Sequence, residues 1–348
     1  MPTAKTPVMT DTPASQAASS RAASAGLAAS AHLRAVTRRQ EFTLVLVILV
    51  LGAAAAVKNP VFVSSANLVE LARATVIYFV MAAAATMVLI GGGLDFSIGS
   101  VFTLAGITTA WVLSLGLPWP TAVVAGLAAG AICGLANALI IERLGVPPII
   151  TTLGTFYFIS GLVVVFSGGN DILISNNTFL ALGQDSIAGV PDIVTYAIVV
   201  GVFFWVLLEK TSFGYNVRAL GGNRQAAIAN GLKARNIDRW LYVLGATAAA
   251  LGGIIYTART GSGQVEAGGS SVTLEVASAV LIGGTSLFGG LGTITGTLLG
   301  AILFAEIDNG LSIANVPALY ENMIVGAILI FAVAADYFRR QRLYRQAR

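Results

Sequence analysis

Apolar residues along this chain run in long blocks instead of alternating with polar ones. A block of about 20 apolar residues is what an α-helix needs to cross the hydrocarbon core of a bilayer. Inside lipid every backbone polar group must be satisfied within the element, so such blocks predict helices and not open strands. Ten spans follow from the pattern: Phe42–Val57, Val69–Ile90, Val101–Leu115, Thr121–Ile141, Ile149–Phe166, Ile193–Leu208, Trp240–Thr257, Thr273–Ile282, Thr293–Ala305 and Tyr320–Tyr337. The eighth and ninth are short because glycines blur where one ends. Pro118 and Pro120 separate the third and fourth, and Pro147-Pro148 open the fifth. Trp119, Trp240 and Tyr337 fall at predicted ends, where amphipathic rings favour the headgroup level. The fold class is all-α, a polytopic membrane protein of about ten helices.

Composition narrows this further. Of 348 residues 56% are hydrophobic and 10% charged, against about 25% charged in a soluble domain. Residues 1–40 stand apart, dominated by Ala, Ser and Thr, with no apolar core for a signal peptide; they predict a disordered tail. His32, the only histidine, reads there as a solvated bystander. Cys133 is the only cysteine, so no intramolecular disulfide can form.

The placement of charge sets an orientation. Lys5, Arg21, Arg34, Arg38 and Arg39 lie in the tail, and Arg143 follows the fourth span. Lys210, Arg218, Arg224, Lys233, Arg235 and Arg239 lie between the sixth and seventh, and Arg339, Arg340, Arg342, Arg345 and Arg348 at the C-terminus. Ten spans place all four regions on one side, with 17 of the 20 Lys and Arg. Basic loops stay cytoplasmic, so both termini are expected inside a bacterial inner membrane. The longest loop on the other side, residues 167–192, holds Asp171, Asp185 and Asp192 and no basic residue. The basic clusters are accordingly topology determinants in contact with membrane lipid, and no nucleic-acid partner is expected.

Glycine is the next informative feature. Gly126, Gly130 and Gly134, and again Gly292, Gly296 and Gly300, recur every four residues and mark one face of a helix each. In lipid such small-residue faces are where helices pack closely, within a subunit or at a seam between subunits. Gly91, Gly92 and Gly93 make no such ladder. Three consecutive glycines weaken a helix by roughly 1 kcal/mol each relative to alanine, and irregular backbone at membrane depth needs protein or a wet cavity beside it. Asp95, Ser97 and Ser100 bring polar groups to the same break. An intramembrane carboxylate points to a functional site; as a plain cap it would accept from the backbone N–H groups that open the next helix. The two readings are compatible. Glu275 and Glu306, near span ends, read as interfacial. The letters VLIGG recur at residues 88–92 and 280–284, too short an echo in so apolar a chain to argue duplication.

Residues 211–236, between the sixth and seventh spans, contain a short helical pattern. Asn223 is an N-cap candidate, Gln225 and the alanines after it favour helix, and Gly231 ends it. Ala226, Ala227 and Gly231 give one side little bulk, open to another protein's surface, while Ile228 and Leu232 are spaced for an apolar contact. An ordinary surface helix fits the same letters.

Four stretches in order, GGGLDFSIGS (Gly91–Ser100), PPIITTLGT (Pro147–Thr155), SFGYNVRALGGNRQAAIANGL (Ser212–Leu232) and GGTSLFGGLGTITGTLLGA (Gly283–Ala301), resemble the membrane permeases of ATP-binding-cassette (ABC) importers for ribose and other monosaccharides. The resemblance covers about Phe42 to Tyr337, with residues 41–338 as the permease domain and 339–348 as a basic cytoplasmic end. The family commonly has GGIDLS where this chain has GGGLDFS, and often an acid where Arg224 stands. The resemblance implies ten helices per subunit and two permease subunits, here a homodimer, with the pathway between them. Two cytoplasmic ATPase subunits and a periplasmic sugar-binding protein would complete the importer. It also implies that Asn223 to Leu232 is the coupling helix seated on an ATPase, with Gln225, Ala226, Ala227, Ile228 and Gly231 in the segment. Independently, no GxxxxGK(S/T) phosphate loop occurs, so ATP would be bound by a partner and this chain would carry no cofactor or metal.

Two other functions remain open at this level. An ion-coupled secondary transporter would use Asp95 as its proton or sodium site beside a broken helix. A related permease for branched-chain amino acids or nucleosides would share the ABC mechanism, although the Gly-Gly-x-x-Asp-x-Ser pattern favours sugars. An enzyme is not expected: the spans hold no histidine, no thiol–base pair and no metal-ligand cluster.

Overall fold

The computed structural model describes residues 40–187 and 189–346. The expected disordered tail, with His32, lies outside the described residues apart from Gln40. Helix α1 (Gln40–Lys58) leads through a 3₁₀ turn into α2 (Ser65–Ile90), followed by α3 (Ile98–Ser114), α4 (Trp119–Leu144) and α5 (Pro148–Ser167). A loop with β1 (Ile172–Leu173), α6 (Asn177–Gln184) and the hairpin of β2 (Ser186–Ile187) and β3 (Val190–Pro191) precedes α7 (Ile193–Lys210). Two short helices, α8 (Ser212–Gly222) and α9 (Arg224–Ala229), connect to α10 (Ala234–Thr260). Then come β4 (Ser262–Gly263), α11 (Ser270–Ile282), α12 (Ile294–Ile313) and α13 (Ala318–Gln346).

Seven of these helices are long and apolar enough to cross a membrane, and α3, α11 and the Met323–Ala334 part of α13 are shorter apolar helices. Each of the ten expected spans coincides with one of these ten. Helix α11, with 13 residues, rises only about 20 Å. Three ends differ most: α10 begins at Ala234, six residues before the expected Trp240, α12 runs to Ile313, eight beyond Ala305, and α13 continues unbroken to Gln346. The basic C-terminal segment thus prolongs the last helix up to that residue.

Helices α2 and α10 form the centre and are the most buried of the long spans. Their contact surfaces are nearly free of bulk: Ala82 to Ala85 on α2, and Gly245, Ala246, Ala248, Ala249, Ala250, Gly252 and Gly253 on α10 are all buried. Without hydrophobic drive between helices in lipid, such surfaces gain from close van der Waals approach. The α4 ladder faces inward for the same reason. A Cβ on Gly130 would overlap that of Ala250, and one on Gly134 would reach 2.7 Å from the Cβ of Ala246. Of the second ladder, Gly296 and Gly300 seat α12 on α11, where their Cβ atoms would overlap the carbonyl oxygens of Gly283 and Ala279; Gly292, expected on the same helix face, lies instead in the loop before α12, against Thr285. Both ladders pack within the chain. Thr86 of α2 and Thr297 of α12 add a hydroxyl–hydroxyl hydrogen bond of 2.6 Å.

At one end of the bundle the 168–192 loop is tied down over α10. Strand β1 pairs antiparallel with β4, the Asp171 carboxylate accepts from Val265 N at 2.9 Å, and Phe179 of α6 is fully buried. Glu70 forms ion pairs with Arg73 and Arg259 there. The opposite end carries α8, α9 and the 283–293 loop. One expectation fails: Glu306 is not interfacial. It lies in the thirteenth position of the 20-residue α12 and is buried, beside Gly52 of α1, whose missing side chain leaves room for the carboxyl group. Its Oε2 has no hydrogen-bond partner among the described residues. The sequence pattern ended that span at Ala305, one residue before Glu306 and eight before the helix ends at Ile313. Glu275, by contrast, sits half-buried in the second turn of α11.

Candidate functional site

The glycine break follows from local chemistry. Helix α2 stops where Gly91 N, Gly92 N and Gly93 N donate to Met87, Leu89 and Val88 oxygens at 3.0, 2.8 and 2.9 Å. Gly92 has φ +83°, a left-handed conformation that closes a helix and favours glycine. The echo at residues 280–284 makes the same turn: Gly283 N, Gly284 N and Thr285 N donate to Ala279, Leu281 and Val280 oxygens, with Gly284 at φ +91°. The repeated letters therefore encode a repeated helix terminator.

Past the first break, the chain folds back to start α3, and Asp95 is 7% exposed. Its Oδ1 accepts from Ser97 N at 2.8 Å and from Ser97 Oγ at 2.6 Å. Ser97 Oγ in turn accepts from Asn137 Nδ2 of α4 at 2.9 Å, and Ser100 Oγ donates to Ser97 O at 2.9 Å. Tyr242 of α10 donates to Leu94 O at 3.3 Å. Asp95 Oδ2 and Asn137 Oδ1 have no partner among the described residues. Asp95 also lines a cavity of about 220 Å³ whose other walls, apart from Thr273, are apolar side chains of α2, α3, α11, α13, the α2–α3 break and the α11–α12 loop. The structure thus brings Asp95, Ser97 and Ser100 into one buried cluster, and Gly91, Gly92 and Gly93 directly before it. At the second break the acid comes from elsewhere, with Asp336 of α13 accepting from Ser286 Oγ at 3.0 Å and Leu287 N at 3.2 Å.

The second group of residues forms α9. Asn223 Oδ1 accepts from Ala226 N at 3.0 Å, as an N-cap should. Gly231, at φ +85°, ends the turn, and Leu232 N returns to Ala227 O at 3.1 Å. The low-bulk side expected from Ala226, Ala227 and Gly231 is divided: Ala226 and Gly231 are exposed, but Ala227 is buried. Adjacent helical residues sit about 100° apart, so 226 and 227 face different ways. Gln225 is exposed and Ile228 is 50% exposed, while Leu232 packs against the core. Arg224 pairs with Asp238, the fifth residue of α10. That hydrogen bond raises the guanidinium pKa further above its usual range.

Sequence reasoning passed over Asn137, although a lone amide in an apolar block is a readable signal. Tyr242 and the contacts of Gly221 carried no signal at all.

An all-helical bundle with ten apolar helices, a buried polar break and a capped helix at one end has the form of a membrane permease. Residues 67–333 match the family described as the branched-chain amino acid transport system permease component. The ribose import permease of Bacillus subtilis (strain 168) is 34% identical over 80% of this chain and 87% of its own length. The D-allose transport system permease of Escherichia coli (strain K12) is 33% identical over 70% and 75%. The L-arabinose ABC transporter permease of Azospirillum brasilense is 33% identical over 86% and 88%. The chain belongs to this family of importer permeases. No solved structure matches it.

Proposed function

We propose that this chain lines the membrane pathway of a monosaccharide importer, and that ATP is bound and hydrolysed by a separate subunit docked on α9. The observation that carries the docking is α9 itself, a six-residue helix with its own N-cap and glycine stop. A helix this short is marginal alone, so its caps and the Arg224–Asp238 pair hold it in shape while Gln225, Ala226 and Ile228 stay exposed. A buried apolar residue would need no explanation; an exposed isoleucine on a charged end suits a partner surface.

In this reading the α8–α9 end faces the cytoplasm, with the basic residues, and the α6 end meets a sugar-loaded binding protein outside the inner membrane. A second copy of the permease completes the pathway. The exposed face of α5 supports that seam, because Gly154 and Gly161 there meet nothing within 4 Å while Tyr157 and Phe158 beside them are exposed. Gly91, Gly92 and Gly93 with Asp95, Ser97 and Ser100 set the backbone of the gate that opens or closes the path. A sugar cargo, in preference to a branched-chain amino acid or nucleoside, is supported by the sugar permeases among the relatives.

The test is uptake by the permease reconstituted with its ATPase and binding protein, offered D-ribose, D-allose, L-arabinose, leucine and adenosine separately. One of the sugars should accumulate with ATP and without any ion gradient, and Ala226→Trp should abolish both uptake and ATPase association while membrane abundance stays normal. Uptake that needs a proton or sodium gradient would transfer the case to the Asp95 ion-coupled mechanism.

A further inference from the structure

We propose that Gly221 is a positioning residue for transport: it lets α8 press backbone against backbone on the end of α2, so that movement of α9 reaches the Asp95 break. The inference rests on the docking role given to α9 above. Ile90, the last residue of α2, has a carbonyl with no partner inside its own helix, and Gly290 N donates to it at 2.8 Å. Gly221 closes over the same carbonyl. A Cβ there would overlap Ile90 O and lie 2.8 Å from Gly290 N, and one on Gly289 would lie 2.8 Å from Gly221 O. A Cβ on Gly92 would lie 3.8 Å from Gly221 Cα. Four glycines from the α2–α3 break, α8 and the α11–α12 loop thus meet without an intervening side chain.

That composition has a mechanical consequence. A side-chain contact can absorb displacement by changing rotamer; a backbone contact has no rotamer to change, and close-packed interiors transmit strain. The drive side is equally stiff. A single residue, Asn223, joins α8 to α9: its N–H donates to Ala219 O of α8 at 3.1 Å and its side chain caps α9. Val217 and Leu220 bury the inner face of α8. Arg218, paired with Glu209, donates to Gly292 O at 3.0 Å and ties α8 to the α11–α12 loop. On the receiving side Asp95 lies three residues beyond Gly92. Gly92, Gly289 and Gly290 all have positive φ, so substitution there strains the backbone by itself. Gly221 does not, which makes it the position where added bulk alone is tested.

The experiment uses the reconstituted complex of permease, ATPase and binding protein, with D-ribose, D-allose or L-arabinose, whichever the wild type accumulates. Three quantities are read: ATPase association, ATP hydrolysed, and sugar moved per ATP. Gly221→Ala should associate and hydrolyse normally while sugar moved per ATP falls roughly tenfold, within the usual range of coupling between sites. Gly222→Ala, whose Cβ meets nothing within 4 Å, should match wild type. Arg218→Gln should lower the ratio and Glu209→Gln should not, since only the former loses the Gly292 bond. An unchanged ratio in Gly221→Ala, or an equal fall in Gly222→Ala, overturns the proposal. If Gly221→Ala does not accumulate in the membrane, an unchanged ratio in Arg218→Gln overturns it instead. Failure of the docking reading looks different: Ala226→Trp would then keep its ATPase partner.

Discussion

Asp95 shows how one carboxylate oxygen serves two donors of the same neighbour. Its Oδ1 holds Ser97 N and Ser97 Oγ together, and the serine hydroxyl passes the network to Asn137 of α4. Asp95→Asn keeps an acceptor oxygen and loses the charge-assisted share of each bond, so transport should fall partway. Asp95→Leu leaves buried donors unpaired at about 1–3 kcal/mol each, and uptake should fall to background at matched membrane abundance. Equal uptake in the two variants would remove the hydrogen-bonding role. Asn137→Ala, which removes one donor from the Ser97 hydroxyl, should resemble Asp95→Asn more than Asp95→Leu.

Among elements, the seam between α4 and α10 is the sharpest test of packing. Alanine favours a helix over glycine by roughly 1 kcal/mol, so Gly→Ala in open space should stabilise. Gly310 of α12 meets nothing within 4 Å, and Gly310→Ala should raise the thermal midpoint in detergent. Gly130 is the opposite case, because its new Cβ would overlap the Cβ of Ala250. Overpacking of this kind costs typically about 1–3 kcal/mol and outweighs the helix gain, so Gly130→Ala should lower the midpoint. A rise in both variants would mean that α4 and α10 do not meet as closely as the structure has them.

For the whole molecule, sidedness is the property to measure. In a background lacking Cys133, Asn230→Cys should resist a membrane-impermeant maleimide in intact spheroplasts and react once they are permeabilised. Ser186→Cys, in the loop at the other end, should react in both. The reverse pattern would invert the molecule and place α9 outside, away from any cytoplasmic ATPase.

The ten spans, the N-cap at Asn223, the helix stop at Gly231 and the break at Gly91 to Gly93 were all legible in the letters, because each depends on a neighbour within about one helical turn or on average hydropathy. The run from Gly91 to Val101 likewise announced that Asp95 and Ser97 would be near each other. What packs on them was not legible. Nothing local separates Ala226 from Ala227, one exposed and one buried; only the seat of α9 against the bundle decides it. Glu306 had the same difficulty, since its burial depends on Gly52, which lies 254 positions away in the chain. The same holds for Gly221, an unremarkable member of a Gly-Gly pair until α8 is laid across the end of α2. Periodicity and capping are properties of one helix and can be read from it, whereas the approach of two backbones is set by every helix around them and exists only in the folded chain.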